Sequence, residues 1–224
     1  MRRAYLLLGI AFIAFVVLSQ TGTRAGNKTF AEQFAGGPAV AESGTYNFDK
    51  AHSFIQFTVN HNGLTEVPGF FRDFTGAISF DAKDISKSTV EFTAKTTSID
   101  TGVGARDNHL RTADFFDAAK YPEISFKSTK VQKKGKGWML TGDLTMKGVT
   151  RSITFPFQIV GSLAATDRVG PKMGIAAETT INRRDFGVNW GSNVPGTSIP
   201  VVSDSVKISL QIDAGKKKDA PKAD

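Results

Sequence analysis

Cysteine is absent from the 224-residue chain, and this absence removes several kinds of chemistry at once. Without a thiol there is no disulfide, no thiolate metal site, no cysteine nucleophile and no cysteine to carry a lipid after export. The folded state must therefore rest on an apolar core alone.

An excess of positive charge is also missing from the central part of the chain. The formal net charge of +7 lies mostly at the ends, on Arg2, Arg3 and Arg24 and on the lysines beyond Ala214. A nucleic-acid partner requires a basic groove with interleaved aromatic residues, so none is predicted. The cluster at 133–136 is typical of a hairpin turn.

Long hydrophobic runs are limited to one, from Ala4 to Leu18 after Arg2-Arg3. This run is shorter than the ~20 apolar residues of a membrane span, and Thr23-Arg24-Ala25 follows it with the small residues of a signal peptidase site. We predict a signal peptide at 1–25, export to the periplasm, and no stable membrane insertion after cleavage. An uncleaved N-terminal anchor is the alternative.

The rest of the chain divides into three parts by composition. Residues 26–43 are rich in Gly and Ala without periodicity, which predicts a flexible arm. Residues 44–213 are long enough for one all-β domain. Residues 214–224 form a Lys-rich tail with nothing apolar to bury, and we expect this tail to be disordered.

Apolar and polar residues alternate along most of the 44–213 domain, as in Phe54 to Asn60, which indicates half-buried strands. The segment from Gly104 to Asp117 is the exception and predicts a short amphipathic helix. Antiparallel strands in a meander remove exposed edges by closing on themselves. The sequence therefore predicts an all-β, eight-stranded antiparallel up-and-down barrel with one short helix. The predicted strands are Tyr46 to Asn60, Phe74 to Asp81, Thr89 to Thr97, Glu123 to Val131, Trp138 to Met146, Arg151 to Val160, Met173 to Asn182 and Ser205 to Asp213.

The inward-facing residues of such a barrel either fill its interior or line a site for one small ligand. Small residues at Ala94, Gly142 and Ala177 would leave room for a tunnel, and a filled core is the alternative. The segment from Leu64 to Phe74 is predicted as an apolar loop that plugs one end or forms its mouth. Arg72 either pairs with Asp73 or meets a ligand's polar head. The predicted ligand-binding residues are Ile55, Phe57, Val59, His61, Phe71, Arg72, Ile78, Phe80, Phe92, Phe126, Leu140, Leu144, Phe155, Phe157 and Ile175.

No catalytic or metal-ligating constellation stands out. His52 and His61 lie an odd number of positions apart, which on a strand places them on opposite faces and ~30 Å apart, so the three histidines do not predict a metal site. Ser98, Asp107 and His109 could form a nucleophilic set, but no Gly-x-Ser-x-Gly surrounds the serine. Loop hydrogen bonding is the simpler role for them.

Nine ordered segments across the 44–213 domain form a recognisable set. They are Asp49-Lys-Ala-His-Ser53, His61-Asn-Gly63, Gly69-Phe-Phe-Arg-Asp-Phe-Thr-Gly76, Ser98-Ile-Asp-Thr101, Arg106-Asp-Asn-His-Leu110, Asp114-Phe-Phe-Asp117, Tyr121-Pro122, Gly142-Asp-Leu-Thr-Met-Lys-Gly148 and Ile181-Asn-Arg-Arg-Asp-Phe-Gly187. In these segments the chain resembles the YceI family of exported bacterial proteins. The resemblance implies a lipocalin-like barrel that binds polyisoprenoids or similar long-chain amphiphiles, and it favours the tunnel over a filled core.

The resulting prediction is a periplasmic, non-enzymatic binder of an isoprenoid quinone, polyisoprenoid or fatty-acid derivative, acting in transport, storage or stress response. No cofactor is expected other than such a bound lipid, and a homodimer is left open. Two alternatives remain: an enzyme acting on such a lipid through His109 and Asp107, and a stress or interaction module with a filled core.

Overall fold

β-Strands make up most of the computed structural model, which describes residues 41–135, 137–166 and 170–216. The only α-helix in these residues, α1, spans Gly104–Leu110, and no described helix is long and apolar enough to cross a membrane. Short 3-10 turns occur at Ile85–Lys87, Thr96–Ser98 and Arg183–Phe186. The strands are β1 (Gly44–Phe48), β2 (Phe54–His61), β3 (Thr65–Phe71), β4 (Phe74–Phe80), β5 (Thr89–Lys95), β6 (Ile99–Asp100), β7 (Glu123–Lys134), β8 (Gly137–Met146), β9 (Val149–Leu163), β10 (Lys172–Asn182) and β11 (Val202–Lys216).

These segments form one closed antiparallel ring of eight long strands. β1 and β2 are two parts of one interrupted strand, because both pair with β11. β3 and β4 form the next interrupted strand, since they pair with β2 and β1. β5 and β6 form the third, since they pair with β4 and β3. From β7 to β11 each strand pairs with the next. β11 closes the ring by pairing with both β1 and β2. The predicted eight-stranded up-and-down barrel with one helix is confirmed.

The first long strand is interrupted by a turn, whereas the sequence predicted one strand from Tyr46 to Asn60. Asp49 accepts hydrogen bonds from the Ala51 N–H through its side chain and from the His52 N–H through its carbonyl, at 3.0 and 3.2 Å. Aspartate stabilises turns in this way, so the prediction of an unbroken strand is wrong.

The prediction that Leu64 to Phe74 is a loop is also wrong, because most of this segment is β3. Pro68 and Gly69 indicated a turn in the sequence. On the side of β3 away from β2, only Phe70 and Phe71 pair with a described strand. The missing N–H of Pro68 therefore lies on an unpaired edge, where proline is tolerated.

Two tight turns join neighbouring strands, and the first lies at the hairpin that the cluster at 133–136 predicted. β7 and β8 form a hairpin with Lys134 opposite Gly137, and Gly135 has φ of 59°. β8 and β9 are joined through Lys147 and Gly148, with φ of 49° and 75°. In this second turn, the two central residues with positive φ match the twist of an antiparallel hairpin.

The strands extend slightly beyond the predicted domain limits. β1 begins at Gly44, as expected, but β11 continues through Ala214, Gly215 and Lys216. The prediction that these three residues belong to a disordered tail is therefore wrong. The predicted signal peptide and the remainder of the tail at 217–224 lie outside the described residues, as does the predicted arm up to residue 40.

The two ends of the barrel differ in packing. At one end, here called the closed end, Tyr46, Met173 and Ala214 are almost completely buried in an apolar cluster that includes Ile78 and Phe80. At the other end, here called the mouth, α1, the β2–β3 turn and the connection 187–201 surround the ends of the strands. This difference determines how the interior can be reached.

Candidate ligand-binding cavity

A cavity of about 430 Å³ lies inside the barrel, and its surface is almost entirely apolar. All of the predicted ligand-binding residues except Arg72 belong to its lining. These residues are Ile55, Phe57, Val59, His61, Phe71, Ile78, Phe80, Phe92, Phe126, Leu140, Leu144, Phe155, Phe157 and Ile175.

Incomplete packing on one side of the barrel produces this space. Phe126, Leu140 and Phe155 on β7 to β9 are buried against one another. Ile208 and Leu210 on β11 also point inward, yet they keep part of their surface accessible. Protein interiors are normally filled to crystal-like density, so the predicted alternative of a filled core does not describe this interior.

Small residues contribute to the space only in part. Ala94 and Ala177 line the cavity, as the tunnel prediction requires. Gly142 does not, because the Phe126 ring covers it: a Cβ on Gly142 would lie 2.4 Å from Phe126 Cζ. Glycine at this position lets the aromatic ring pack closely, and the prediction that it widens a tunnel is wrong.

Every ionisable residue of the described lining lies at the mouth. These residues are His61 at the end of β2, Arg106 and His109 on α1, and Arg183 after β10. The closed end is lined instead by side chains such as Phe48, Met173 and Ile212. The ionisable groups of the lining are therefore concentrated where the cavity meets solvent, whereas the few polar residues nearer the closed end, such as Ser88 and Thr89, are uncharged.

The position of α1 is fixed by Thr101 and Asp107. The buried Asp107 carboxylate accepts hydrogen bonds from the Thr101 N–H at 2.9 Å and from its hydroxyl at 2.5 Å. Arg106 donates through Nε to the Thr101 hydroxyl at 2.7 Å and through Nη2 to the Thr101 carbonyl at 2.8 Å. These bonds hold Arg106 beside the cavity and leave Asp107 in a structural role.

His109 lies in an aromatic cluster on the inner side of α1. Its ring centroid is 5.1 Å from those of both Phe115 and Trp190, with edge-to-face geometry. Its Nε2 lies 2.7 Å from the Asp114 carboxylate. Edge-to-face packing of this kind is favourable, and it connects α1 to the 187–201 connection across the mouth.

Arg183 fixes the other side of the mouth. Its buried guanidinium donates to the carbonyls of Ser203, Val188 and Val202 at 3.0, 2.8 and 3.3 Å, and to Asp204 at 3.0 Å. Burial lowers the pKa of Arg183, and the neighbouring Asp204 carboxylate opposes that shift. These bonds tie the end of β10 to the 187–201 connection and to the start of β11.

Arg72 lies outside the cavity lining. Its Nε donates to Asp100 at 2.9 Å, and its guanidinium lies 4.2 Å from the centroid of the outward-facing Phe70 ring. Asp73 pairs with Lys50 instead, at 2.8 Å, and this hydrogen bond lowers the pKa of Asp73. The predicted Arg72–Asp73 pair is not formed, and the side chain of Arg72 packs on the outer surface.

The residues considered for catalysis have separate partners. The Ser98 hydroxyl donates to the Lys95 carbonyl at 2.7 Å, Asp107 accepts from Thr101, and His109 contacts Asp114. A nucleophilic site requires hydroxyl, base and carboxylate to be in mutual hydrogen-bond reach. The described partners of these side chains give no such arrangement.

One cluster of possible metal ligands occurs among the described residues, at Asp49, His52 and Asp213, with ligand atoms within 4.8 Å of one another. Lys172 Nζ lies 3.4 Å from the Asp49 carboxylate and 3.1 Å from that of Asp213. This one ammonium offsets part of the charge of the two carboxylates and would repel a cation at the same position.

Sequence reasoning missed much of the mouth. Leu110, Phe115, Phe116, Val188, Trp190 and Val201 all belong to the lining. They lie in α1 or in irregular connections, where strand alternation gives no information. The adjacent aromatic residues Phe115 and Phe116 were a usable signal, because they lie within a segment that resembles the family.

Comparison with known proteins agrees with this architecture. The profile of the YceI-like domain matches residues 46–214. Protein YceI of Escherichia coli O17:K52:H18 is 40% identical over 163 residues, which are 71% of this chain and 84% of that protein. The crystal structure of the Campylobacter jejuni YceI protein is 32% identical with a TM-score of 0.61, and the match covers 76% of this chain and 96% of that one.

A more distant structural neighbour shares the fold alone. It is a polyisoprenoid binding domain from Saccharophagus degradans implicated in plant cell wall breakdown. The match has 16% identity and a TM-score of 0.56, and covers 77% of this chain and 98% of that domain.

The closed ring, the one α-helix of the described residues at its mouth and the hollow apolar interior define a lipocalin-like barrel of the class that encloses small ligands. Within that class, the extent of the profile match and the similarity to the Escherichia coli protein are decisive. The chain belongs to the YceI family.

Proposed function

We propose that this protein binds one long-chain apolar or amphiphilic molecule in the barrel, such as an isoprenoid quinone, a polyisoprenoid or a fatty-acid derivative. The observation that carries the proposal is the apolar cavity of about 430 Å³. This volume falls within the range typical of small-molecule sites, roughly 300–1,000 Å³.

The energetics of such binding require no charged contact. Each methylene transferred from water contributes ~0.8 kcal/mol, so ten contribute ~8 kcal/mol before the cost of ordering the chain is subtracted. Before that subtraction the sum corresponds to micromolar affinity, on the order of 10⁻⁶ M, and each further methylene of a longer chain offsets part of the cost. Apolar walls therefore suffice to retain the ligand.

The distribution of ionisable groups supports one orientation of the ligand. Its chain would extend toward the closed end, past Phe57 and Ile175, and its head would remain at the mouth beside His61, Arg106 and His109. Polar residues at a few defined points of an apolar site fix orientation and select among ligands. Head groups that accept hydrogen bonds fit this end.

A binding role without catalysis is the simplest one for this site. The Asp107 carboxylate already accepts a hydrogen bond from the Thr101 N–H. The described groups at the mouth include no set of carboxylate, histidine and hydroxyl in mutual contact. Family membership and the polyisoprenoid binding domain with the same fold support a ligand of this class. We further propose export to the periplasm through the N-terminal segment, with transport, storage or stress response as the physiological setting.

Organic extraction of the purified protein, followed by mass spectrometry, tests the proposal. We expect about one lipid per chain, and a Leu210→Trp variant that fills the middle of the cavity should lose it. Ser209→Trp is the matched control, because Ser209 is adjacent on β11 but contacts the outward-facing Glu178. Absence of lipid from both the native protein and protein reloaded with a long-chain lipid would indicate an interaction module instead.

A further inference from the structure

Exposed apolar side chains are concentrated around the mouth of the cavity. Among the described residues, the large exposed ones are Leu64, Val103, Trp190 and Ile199, with 81%, 47%, 36% and 42% of their surface accessible, and Leu163, with 66%. Leu163 ends β9 at the closed end of the barrel. The other four, here called the rim residues, all belong to segments that surround the mouth.

Contacts place the rim residues directly beside the opening. Leu64 lies in the β2–β3 turn next to His61, and Ile199 reaches Gly63 in the same turn, 3.1 Å from the position of a Cβ there. Val103 precedes α1, between the lining residues Thr101 and Arg106. Trp190 is itself part of the lining. The apolar inner surface thus continues outward onto the rim.

Exposed apolar residues of this size cost free energy in water and commonly mark a contact surface. Neighbouring charges at this end are of both signs, with Arg106 and Lys147 opposed by Glu66 and Asp114. A surface without one dominant sign does not select an anionic partner by attraction. Its complement must be apolar and must accept separate side chains that project from several loops.

We propose that the rim residues insert into the surface of a lipid bilayer and bring the mouth against it, so that a lipid moves between membrane and cavity without crossing water. This inference rests on the proposed function, because it assumes a cargo that resides in membranes. A lipid surface accommodates projecting side chains of any spacing, whereas a protein partner would need a matching set of pockets. Partly buried apolar residues at the interface give weak, reversible binding, which suits repeated loading.

Transfer of a fluorescent fatty acid, cis-parinaric acid, tests the inference. The probe is added either directly in buffer or in vesicles of dioleoyl phosphatidylcholine, and its emission rises when it enters the cavity. The test variant is Leu64→Ser, Val103→Ser and Ile199→Ser combined, which leaves the cavity-lining Trp190 in place. Leu163→Ser is the control, because it removes an apolar side chain at the closed end whose exposure lies within the range of the three substituted residues.

We expect the triple variant to take up the probe from vesicles about tenfold more slowly, because membrane affinity scales with inserted apolar area. Its affinity for the probe in buffer should stay within about twofold of the original protein, since the cavity is unchanged. Leu163→Ser should behave as the original protein in both assays. Addition of salt should have little effect, because the contact is not electrostatic.

The two proposals fail in different ways. Unchanged uptake from vesicles by a triple variant that still binds the probe in buffer would overturn membrane docking alone and would direct attention to a protein partner at the rim. Failure of the original protein to bind the probe in buffer would overturn the proposed function, and the docking inference with it.

Discussion

Phe57 and Gly69 lie opposite each other on β2 and β3, and the Phe57 ring rests directly on the glycine backbone. A Cβ added at Gly69 would lie 2.2 Å from Phe57 Cζ and less than 3 Å from two further ring atoms. The ring also lines the cavity. The lack of a side chain at Gly69 therefore determines where one wall of the cavity lies.

Gly69→Ala should accordingly move the Phe57 ring. Overpacking of this kind typically costs about 1–3 kcal/mol of folding free energy, and displacement of the ring into the cavity should weaken binding of a long-chain ligand. Urea unfolding and titration with cis-parinaric acid measure the two effects. Adding Phe57→Leu to Gly69→Ala should relieve the clash and recover stability. A single variant with unchanged stability and affinity would contradict this account.

The same pair shows what sequence could and could not predict about the fold. Alternation of apolar residues on β2, β7 and β8 correctly assigned the inward faces, because side chains on a strand change sides at every residue. It failed at β3, where Pro68 and Gly69 have the composition of a turn but lie on an unpaired edge and beneath an aromatic ring. Tertiary packing overrides local propensity at such positions.

The candidate site was likewise predictable where strands form its walls, but not at its mouth. Strands contribute regular walls, so residues such as Ile55, Phe92 and Ile175 could be assigned to the interior. The mouth is formed by α1 and by the 187–201 connection, whose conformation depends on long-range bonds such as that from Arg183 to the Val188 carbonyl. Arg72 was misplaced because its partner, Asp100, belongs to another strand and could not be inferred from its own segment.

Loss of the Arg183 guanidinium should destabilise the mouth. In Arg183→Met, three carbonyl acceptors and Asp204 lose their donor, and breaking a buried charged network typically costs about 3–5 kcal/mol. Chemical unfolding measures this loss, and hydrogen exchange should show faster opening of 187–201. Arg184→Met is the control: Arg184 also pairs with Asp204 at 2.7 Å but is much more exposed, so we expect a cost below about 1 kcal/mol. Equal effects of the two substitutions would show that burial of Arg183 has no special importance.

Stability should depend on pH through the cluster that holds the turn between β1 and β2. Hydrogen bonding from His52 lowers the pKa of Asp49, and the carboxylate of Asp213 raises the pKa of Lys172. A lowered carboxyl pKa contributes stability above its unfolded value and loses it as the pH falls through the folded value. A raised lysine pKa contributes below its unfolded value and loses that contribution as the pH rises through the folded value. The cluster should therefore be fully effective from mildly acidic to mildly alkaline pH.

Asp49→Asn tests the acid side of this dependence. Because the amide does not titrate, the difference in unfolding free energy between the original protein and the variant should shrink as the pH falls from about 7 to about 3. Asp143→Asn, at an exposed position on β8 outside this cluster, is the matched control for the chemical change from carboxylate to amide. A difference that remained constant across this pH range would argue against a lowered pKa for Asp49.

Trp190 should report occupation of the cavity directly. The chain contains two tryptophans, of which Trp190 belongs to the cavity lining and Trp138 does not. In Trp138→Phe, the remaining emission comes from Trp190, whose ring lies 5.0 Å from that of Phe115 and 5.1 Å from that of His109. Because a bound head group at the mouth would change the polarity around this ring, addition of palmitic acid should shift its emission in a saturable manner.

The complementary variant Trp190→Phe should keep an emission that the fatty acid leaves unchanged. A signal that followed Trp138 instead would argue against a head group at the mouth and therefore against the proposed orientation.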